Sequence, residues 1–279
     1  MFKVSNPGFF TTVQDQGRFG YRNKGVPVSG VMDSISASRA NSLLENVPTA
    51  ALLEITMTGP KLQFDENTFI CLTGAELSPK LNAQALKNDT VIEVRKGDIL
   101  SFGKLIKGFR AYMGIKGGIK EKMVLDSQSY YFPLTQHKYI KENTQIHFDA
   151  TPNFVPKITE LKMHGFLNES HLEVQKGPEF DMLNKNQIDD LFSKEFTVSK
   201  NNDRMAYQLA ENLEGHSHEI LTSATLPGTV QFTPAGKLII LMKDGQTTGG
   251  YPRVLQLKEK AVCILAQKKF GDTIKFNQV

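Results

Sequence analysis

The sequence predicts a mainly β protein with a few short helices, and three observations carry that prediction. Short apolar or alternating runs enriched in Val, Ile, Phe and Thr dominate the chain. Glycine and turn pairs such as Gly-Asp, Pro-Gly and Asn-Asp punctuate those runs, as expected for many strands joined by tight turns. Only two stretches show helical periodicity, so the pattern favours barrels or sandwiches over alternating βαβ units.

In chain order, the first helix is predicted over Asp33–Asn46. Asp33 stands as its N-cap, and Ile35, Ala40, Leu43 and Leu44 supply an apolar face. Strands follow at Phe69–Ala75, Thr90–Asp98 and Phe109–Ile119. The polar stretch Phe148–Lys162, with two prolines, reads as a seam between two related β-rich halves, 1–155 and 156–279, of a single unit over 1–279. A second helix is predicted over Asn184–Phe196, where Ile188, Leu191 and Phe192 form a stripe, and a further strand over Lys237–Gly245. The segments Lys96–Phe102 (KGDILSF) and Phe270–Phe276 (FGDTIKF) echo each other, which is read as shared turn chemistry: Gly supplies positive φ and Asp bonds its own backbone. Cys71 and Cys263 both sit in strand-like apolar runs and are read as small buried hydrophobes in a reducing compartment.

A chain of 279 residues, 40% hydrophobic and 22% charged, can bury a sizeable core. The 33 basic residues against 29 acidic ones leave a formal charge of +4, and the lysines are dispersed, so nucleic acid is not an expected partner. The start, Met1 to Pro7, has no basic segment followed by an apolar run, and no apolar run is long enough to span a bilayer. A cytoplasmic, membrane-free protein is expected.

Several chemistries lack a local signature. Gly97–Leu105 resembles a phosphate-binding loop to the eye, but five residues separate its glycines and Leu105 stands where a hydroxyl should ligate magnesium. GxGxxG, HExxH, CxxC and GxSxG are absent. His216 and His218, with Glu214 and Glu219 beside them, are read as a solvated loop and no metal site is expected.

Three polar, glycine-rich segments differ from plain turns: Thr11–Asp33, Lys200–Leu209 and Asp244–Val254. Their amide, carboxylate and guanidinium groups suit a small polar substrate, and glycine lets backbone N–H groups approach it. These segments, with EITMTGPKLQF, CLTGAEL, RAYMGIKGGI, GPEFDML and LPGTVQFTPAGKLIIL between them, run collinearly from about Asn6 to the C-terminus. In that order they resemble the allophanate hydrolase subunit 2 family. That family includes the C component of 5-oxoprolinase, the second half of the urea carboxylase carboxyltransferase domain, and an antagonist of a sporulation kinase inhibitor.

The resemblance implies cyclophilin-like β-barrels and a homologous first subunit, similar to the B component of 5-oxoprolinase, with the site lying between the two. It implies that the chain is inactive alone and serves as the C component of a prokaryotic ATP-dependent 5-oxoprolinase, a hydrolase that opens 5-oxoproline to glutamate. A protein similar to the A component would complete that complex. ATP would then act in the complex, since this chain has no ATP motif. One alternative is the carboxyltransferase part of a urea or other amide carboxylase, for which the cofactor is carboxybiotin. Another is a non-enzymatic antagonist that binds a kinase-inhibitor homologue.

Amide chemistry must overcome resonance by polarising the carbonyl oxygen and placing an acceptor at the N–H. Asp15, Arg18 and Asp33 are the expected catalytic groups; Gln14, Asp203, Arg204, Gln246, Thr247 and Tyr251 are expected to bind substrate in one pocket. Structural alternatives stand beside them: Asp33 as an N-cap, Asp203 and Arg204 as a mutual ion pair, and Gly249, Gly250 and Pro252 as a tight turn. Arg18, as a loop arginine, is expected to contribute little to the core. Two segments depart from the family pattern: Gln128 replaces an arginine in Asp126–Tyr130, and DRMAYQL carries Ala206 and Gln208 for Gly and Arg.

Overall fold

The computed structural model describes residues 1–161 and 165–279, so Lys162, the last residue of the expected seam, lies outside the described residues. Two compact units are present: Met1–Arg18 with Ser29–Leu167, and Phe19–Val28 with Asn168–Val279.

The first unit contains β1 (Phe2–Asn6), β2 (Phe10–Gln14), β3 (Leu52–Thr56), β4 (Lys61–Phe64), β5 (Thr68–Glu76) and β6 (Lys80–Leu81). It continues with β7 (Gln84–Ala85), β8 (Val91–Val94), β9 (Ile99–Ser101), β10 (Lys107–Ile115), β11 (Ile119–Lys120) and β12 (Gln145–Phe148). One sheet runs β11-β12-β1-β4-β9-β6-β7 and the other β2-β3-β10-β5-β8. Side chains from both sheets meet in a single apolar cluster, with Phe2 stacked on Phe148 and tilted against Phe64.

Helix α1 (Ser34–Leu43) covers the opposite face of the second sheet, where Ala37 and Ala40 pack on Leu52 and Tyr112. That arrangement explains why β3 is buried at every position, Leu53 and Ile55 facing one layer and Leu52 the other. The predicted helix start is correct: Asp33 Oδ1 accepts from the Ser36 N–H at 3.0 Å.

The second unit is built on a closed barrel, β13-β20-β17-β18-β15-β14-β21. Its strands are β13 (His171–Lys176), β14 (Phe196–Asn202), β15 (Ala206–Asn212), β17 (Thr229–Phe232), β18 (Lys237–Leu241), β20 (Arg253–Leu257) and β21 (Thr273–Gln278). A short ladder, β16 (Ser223–Ala224) with β19 (Thr248–Gly249), stands apart from it. The barrel closes where β21 pairs with β13 in parallel, leaving neither strand as an open edge. Helix α2 (Lys185–Ser193) starts with a reciprocal capping box between Asn184 and Gln187.

The apolar run holding Cys263 is helix α3 (Glu259–Ala266) and not the strand its composition suggested. A short run of buried residues does not distinguish the two periods, and every residue from Ala261 to Ala266 is buried here. The two Gly-Asp echoes do share one geometry. Gly97 (φ 94°) and Gly271 (φ 87°) take the left-handed conformation. Asp98 Oδ2 accepts from Arg95 N at 2.8 Å, as Asp272 Oδ2 does from Lys269 N at 2.9 Å.

Candidate functional site

The outer face of the barrel wall carries a pocket of about 530 Å³, within the range for small-molecule sites. Strand alternation builds it. Val230, Tyr207 and Ile240 point into the barrel and are fully buried, so their neighbours Gln231, Gln208 and Ile239 face outward. Register then aligns these three in a row: Ile239 of β18 lies opposite Gln208 of β15 on one side and Gln231 of β17 on the other. The turn after β14 brings Asp203 to the rim, and the segment after β18 brings Gln246 and Tyr251 over the row.

Two anchors hold the covering segments. Arg204 is buried behind the rim in a two-pronged ion pair with Asp244, not with the neighbouring Asp203. Asp203 instead caps the turn, accepting from Met205 N at 2.7 Å and Ala206 N at 3.0 Å. The carbonyl of Gln246 accepts from Thr225 Oγ1 at 2.6 Å, and that of Thr247 from Thr225 N at 3.0 Å. Thr225 is held in turn, since its own carbonyl accepts from Arg22 Nη2. Arg253 forks onto Glu179 and also donates to the Ala224 carbonyl at 2.5 Å. The Arg253 side-chain bonds hold the Glu179 carboxyl below its ordinary range.

Of the residues expected to share one pocket, the structure brings together Asp203, Gln246 and Tyr251. Thr247 and Arg204 act behind them. The first polar segment contributes no side chain to this lining: Gln14, Asp15, Arg18 and Asp33 are engaged within the first unit, and Arg22, in the second, bonds Thr225. Gln14, at the end of β2, is fully buried and donates to Thr12 Oγ1 at 3.1 Å and to the Tyr130 carbonyl at 3.3 Å. Asp15 accepts from Ser127 Oγ, Ser129 Oγ and Gln128 N, each at 2.6 Å, and from Gly17 N at 2.8 Å. Arg18 has no exposed surface and donates to the carbonyls of Val124 and Ser129, so the expectation that it contributes little to the core is corrected. Asp33, fully buried, directs both carboxylate oxygens to Ser36 at the start of α1.

Gln231, Gln208 and Lys200 were not among the expected site residues. The alternation in TVQF, which sets a carboxamide between two interior residues, is the signal that marks Gln231. Gln208 matters doubly, since it replaces the arginine of the family pattern inside the pocket. Gln128 Oε1 accepts from the Glu121 N–H at 2.6 Å.

The remaining candidates are structural. His216 bonds the Phe232 carbonyl through Nε2 at 3.1 Å and packs on that ring. Among the described residues no three His, Cys, Asp or Glu side chains are grouped to hold a metal ion. Burial, then Asp89, pushes the Cys71 thiol up to about 12. No helix among the described residues is long and apolar enough to cross a membrane.

Comparison with known proteins agrees with this architecture. Residues 24–278 match the carboxyltransferase domain, subdomain A and B, family. The chain belongs to that family. It is 30% identical to the C component of 5-oxoprolinase from Escherichia coli, across 100% of this chain and 91% of that protein. It is 29% identical to the urea amidolyase of Lachancea kluyveri across 99% of this chain, but spans only 17% of that protein. Among solved structures, this chain superposes on Kluyveromyces lactis urea carboxylase with a TM-score of 0.84 at 29% identity, covering 99% of this chain and 27% of that one. It superposes on TTHA0988 with a TM-score of 0.89 at 25% identity, spanning about half (55%) of that chain.

Proposed function

We propose that this carboxyltransferase-family chain is the C component of an ATP-dependent 5-oxoprolinase complex, holding a small amide while partner proteins supply the ATP-driven step. The observation that carries the reading is the barrel-wall pocket, whose hydrogen-bonding groups are mostly carboxamides: Gln208, Gln231, Gln246, Asn201 and Asn202. Such groups offer both donors and acceptors without charge, which suits an amide or lactam edge. Lys200 is the cation of the lining and is the group available to a substrate carboxylate. The similarity to the C component of 5-oxoprolinase over nearly the whole of both chains supports the same reading.

In this reading the pocket residues hold the substrate and shape the cavity around it. The partners are a homologue of the B component and a protein similar to the A component. The test is reconstitution with those two proteins from the same genome, following glutamate release from 5-oxoproline and ATP. Full-rate turnover without this chain refutes the assignment.

A second reading is favoured by one observation: identity to urea amidolyase is nearly as high as to the 5-oxoprolinase component, and a largely neutral pocket also suits urea. Under it the chain would take part in transfer of a carboxyl group from carboxybiotin to urea. Urea carboxylation dependent on a biotinylated partner distinguishes the two.

A further inference from the structure

Gln246 Nε2 donates to Gln231 Oε1 at 3.1 Å, and both side chains line the pocket. The other two atoms of this pair, Gln231 Nε2 and Gln246 Oε1, are buried and have no hydrogen-bond partner among the described residues. Gln231 itself is 1% exposed. A buried carboxamide left half-satisfied is destabilising, and native proteins keep few of them. Two in one bonded pair, on residues that both line one pocket, call for a use.

The chemistry of the pair is independent of how each carboxamide is turned. If both flip together, the mutual bond survives with donor and acceptor exchanged, and the outward pair is still one N–H and one C=O. That outward pair is the complement of an amide edge whose N–H and C=O lie on the same side, as in a lactam. A lactone or ketone of the same shape matches only half of it. The supports are in place: Thr225 holds the Gln246 backbone, Arg22 holds Thr225, and β17 fixes Gln231. Gly249 makes room for the Gln231 carboxamide itself, since a Cβ there would lie 2.2 Å from Gln231 Nε2.

We infer that Gln231 and Gln246 are the specificity-determining residues of this pocket, reading a cis-amide edge by donating to its carbonyl and accepting from its N–H. The inference rests on the amide-substrate reading above and assigns the recognition to two named side chains.

The probes are 2-pyrrolidinone and γ-butyrolactone, which differ in the ring N–H, titrated into the full chain by ligand-observed NMR. The expected result is a lactam preference of about fivefold or more, the size of one hydrogen bond. Gln246→Leu should bring the lactam to the level of the lactone. Gln231→Met should weaken the lactam by a similar factor while circular dichroism shows both variants folded. Equal binding of the two probes, no saturable binding of either, or an unchanged preference in folded Gln246→Leu overturns the inference. The two readings separate cleanly. A lactam preference in a chain dispensable for 5-oxoproline turnover keeps the amide reader and removes the 5-oxoprolinase assignment. Turnover requiring the chain, with no lactam preference, does the reverse.

Discussion

Arg204 closes on Asp244 through two parallel bonds, Nε to Oδ2 at 2.9 Å and Nη2 to Oδ1 at 3.1 Å. The pair ties the turn after β14 to the segment after β18, the two stretches that bring Asp203 and Gln246 to the pocket. With side-chain exposures of 6% and 15% it is nearly desolvated, so losing one partner strands the other. Arg204→Ala is expected to lower stability by roughly 3 kcal/mol. Arg204→Lys should recover only part, since an ammonium cannot fork. Urea unfolding of the three proteins measures both effects.

Arg18 and Asp15 act on the same segment of the first unit, 124–129, from opposite polarities. The guanidinium collects the Val124 and Ser129 carbonyls while the carboxylate collects donors from Ser127, Gln128 and Ser129. Arg18→Ala should therefore destabilise the fold by roughly 2–4 kcal/mol, leaving buried carbonyls without donors. A melting temperature within a degree of the parent would show that the segment is held by other contacts.

Glu179 and Arg253 give a pH-dependent prediction. The folded carboxyl sits below its reference value of 4.5, chiefly through the Arg253 side-chain bonds, against the opposing effect of burial. A depressed carboxylate pKa contributes stability that is fully present above about pH 4.5 and lost as pH falls through the lower folded value. Glu179→Gln should be less stable than the parent by roughly 1–3 kcal/mol at pH 7. The difference should shrink once the pH drops below 4.5. Paired thermal melts from pH 7 to pH 3 read the gap; a gap that stays constant or widens on acidification contradicts the sign.

Both cysteines should be silent toward alkylating reagents in the folded protein at pH 8. Cys71 and Cys263 are each at most 1% exposed, and the Cys71 thiol is pushed up to about 12. Mass spectrometry should find no adduct before unfolding and two after it in denaturant.

Much of the architecture is readable from local pattern. The Asp33 and Asn184 helix starts follow from capping chemistry within four residues, and the paired Gly-Asp turns follow from the left-handed preference of glycine. The α3 segment reads as a strand because burial on all sides erases periodicity, the one cue that separates helix from strand in a short apolar run.

Residue chemistry alone marks Asp203, Gln246 and Tyr251, which do line one pocket, but it also marks Asp15, Arg18 and Asp33, whose polar groups turn inward. A polar side chain in a glycine-rich segment has the same sequence whether it faces a ligand or a buried carbonyl. What the sequence by itself determined was the β-rich class, the starts of α1 and α2 and several strands, because turn, capping and alternation rules act over a few residues; the family followed from the resemblance of its collinear motifs. Only the tertiary structure decided which polar groups remain available, because strand register across β15, β18 and β17 is a long-range pairing, and it alone sets Gln208, Ile239 and Gln231 side by side.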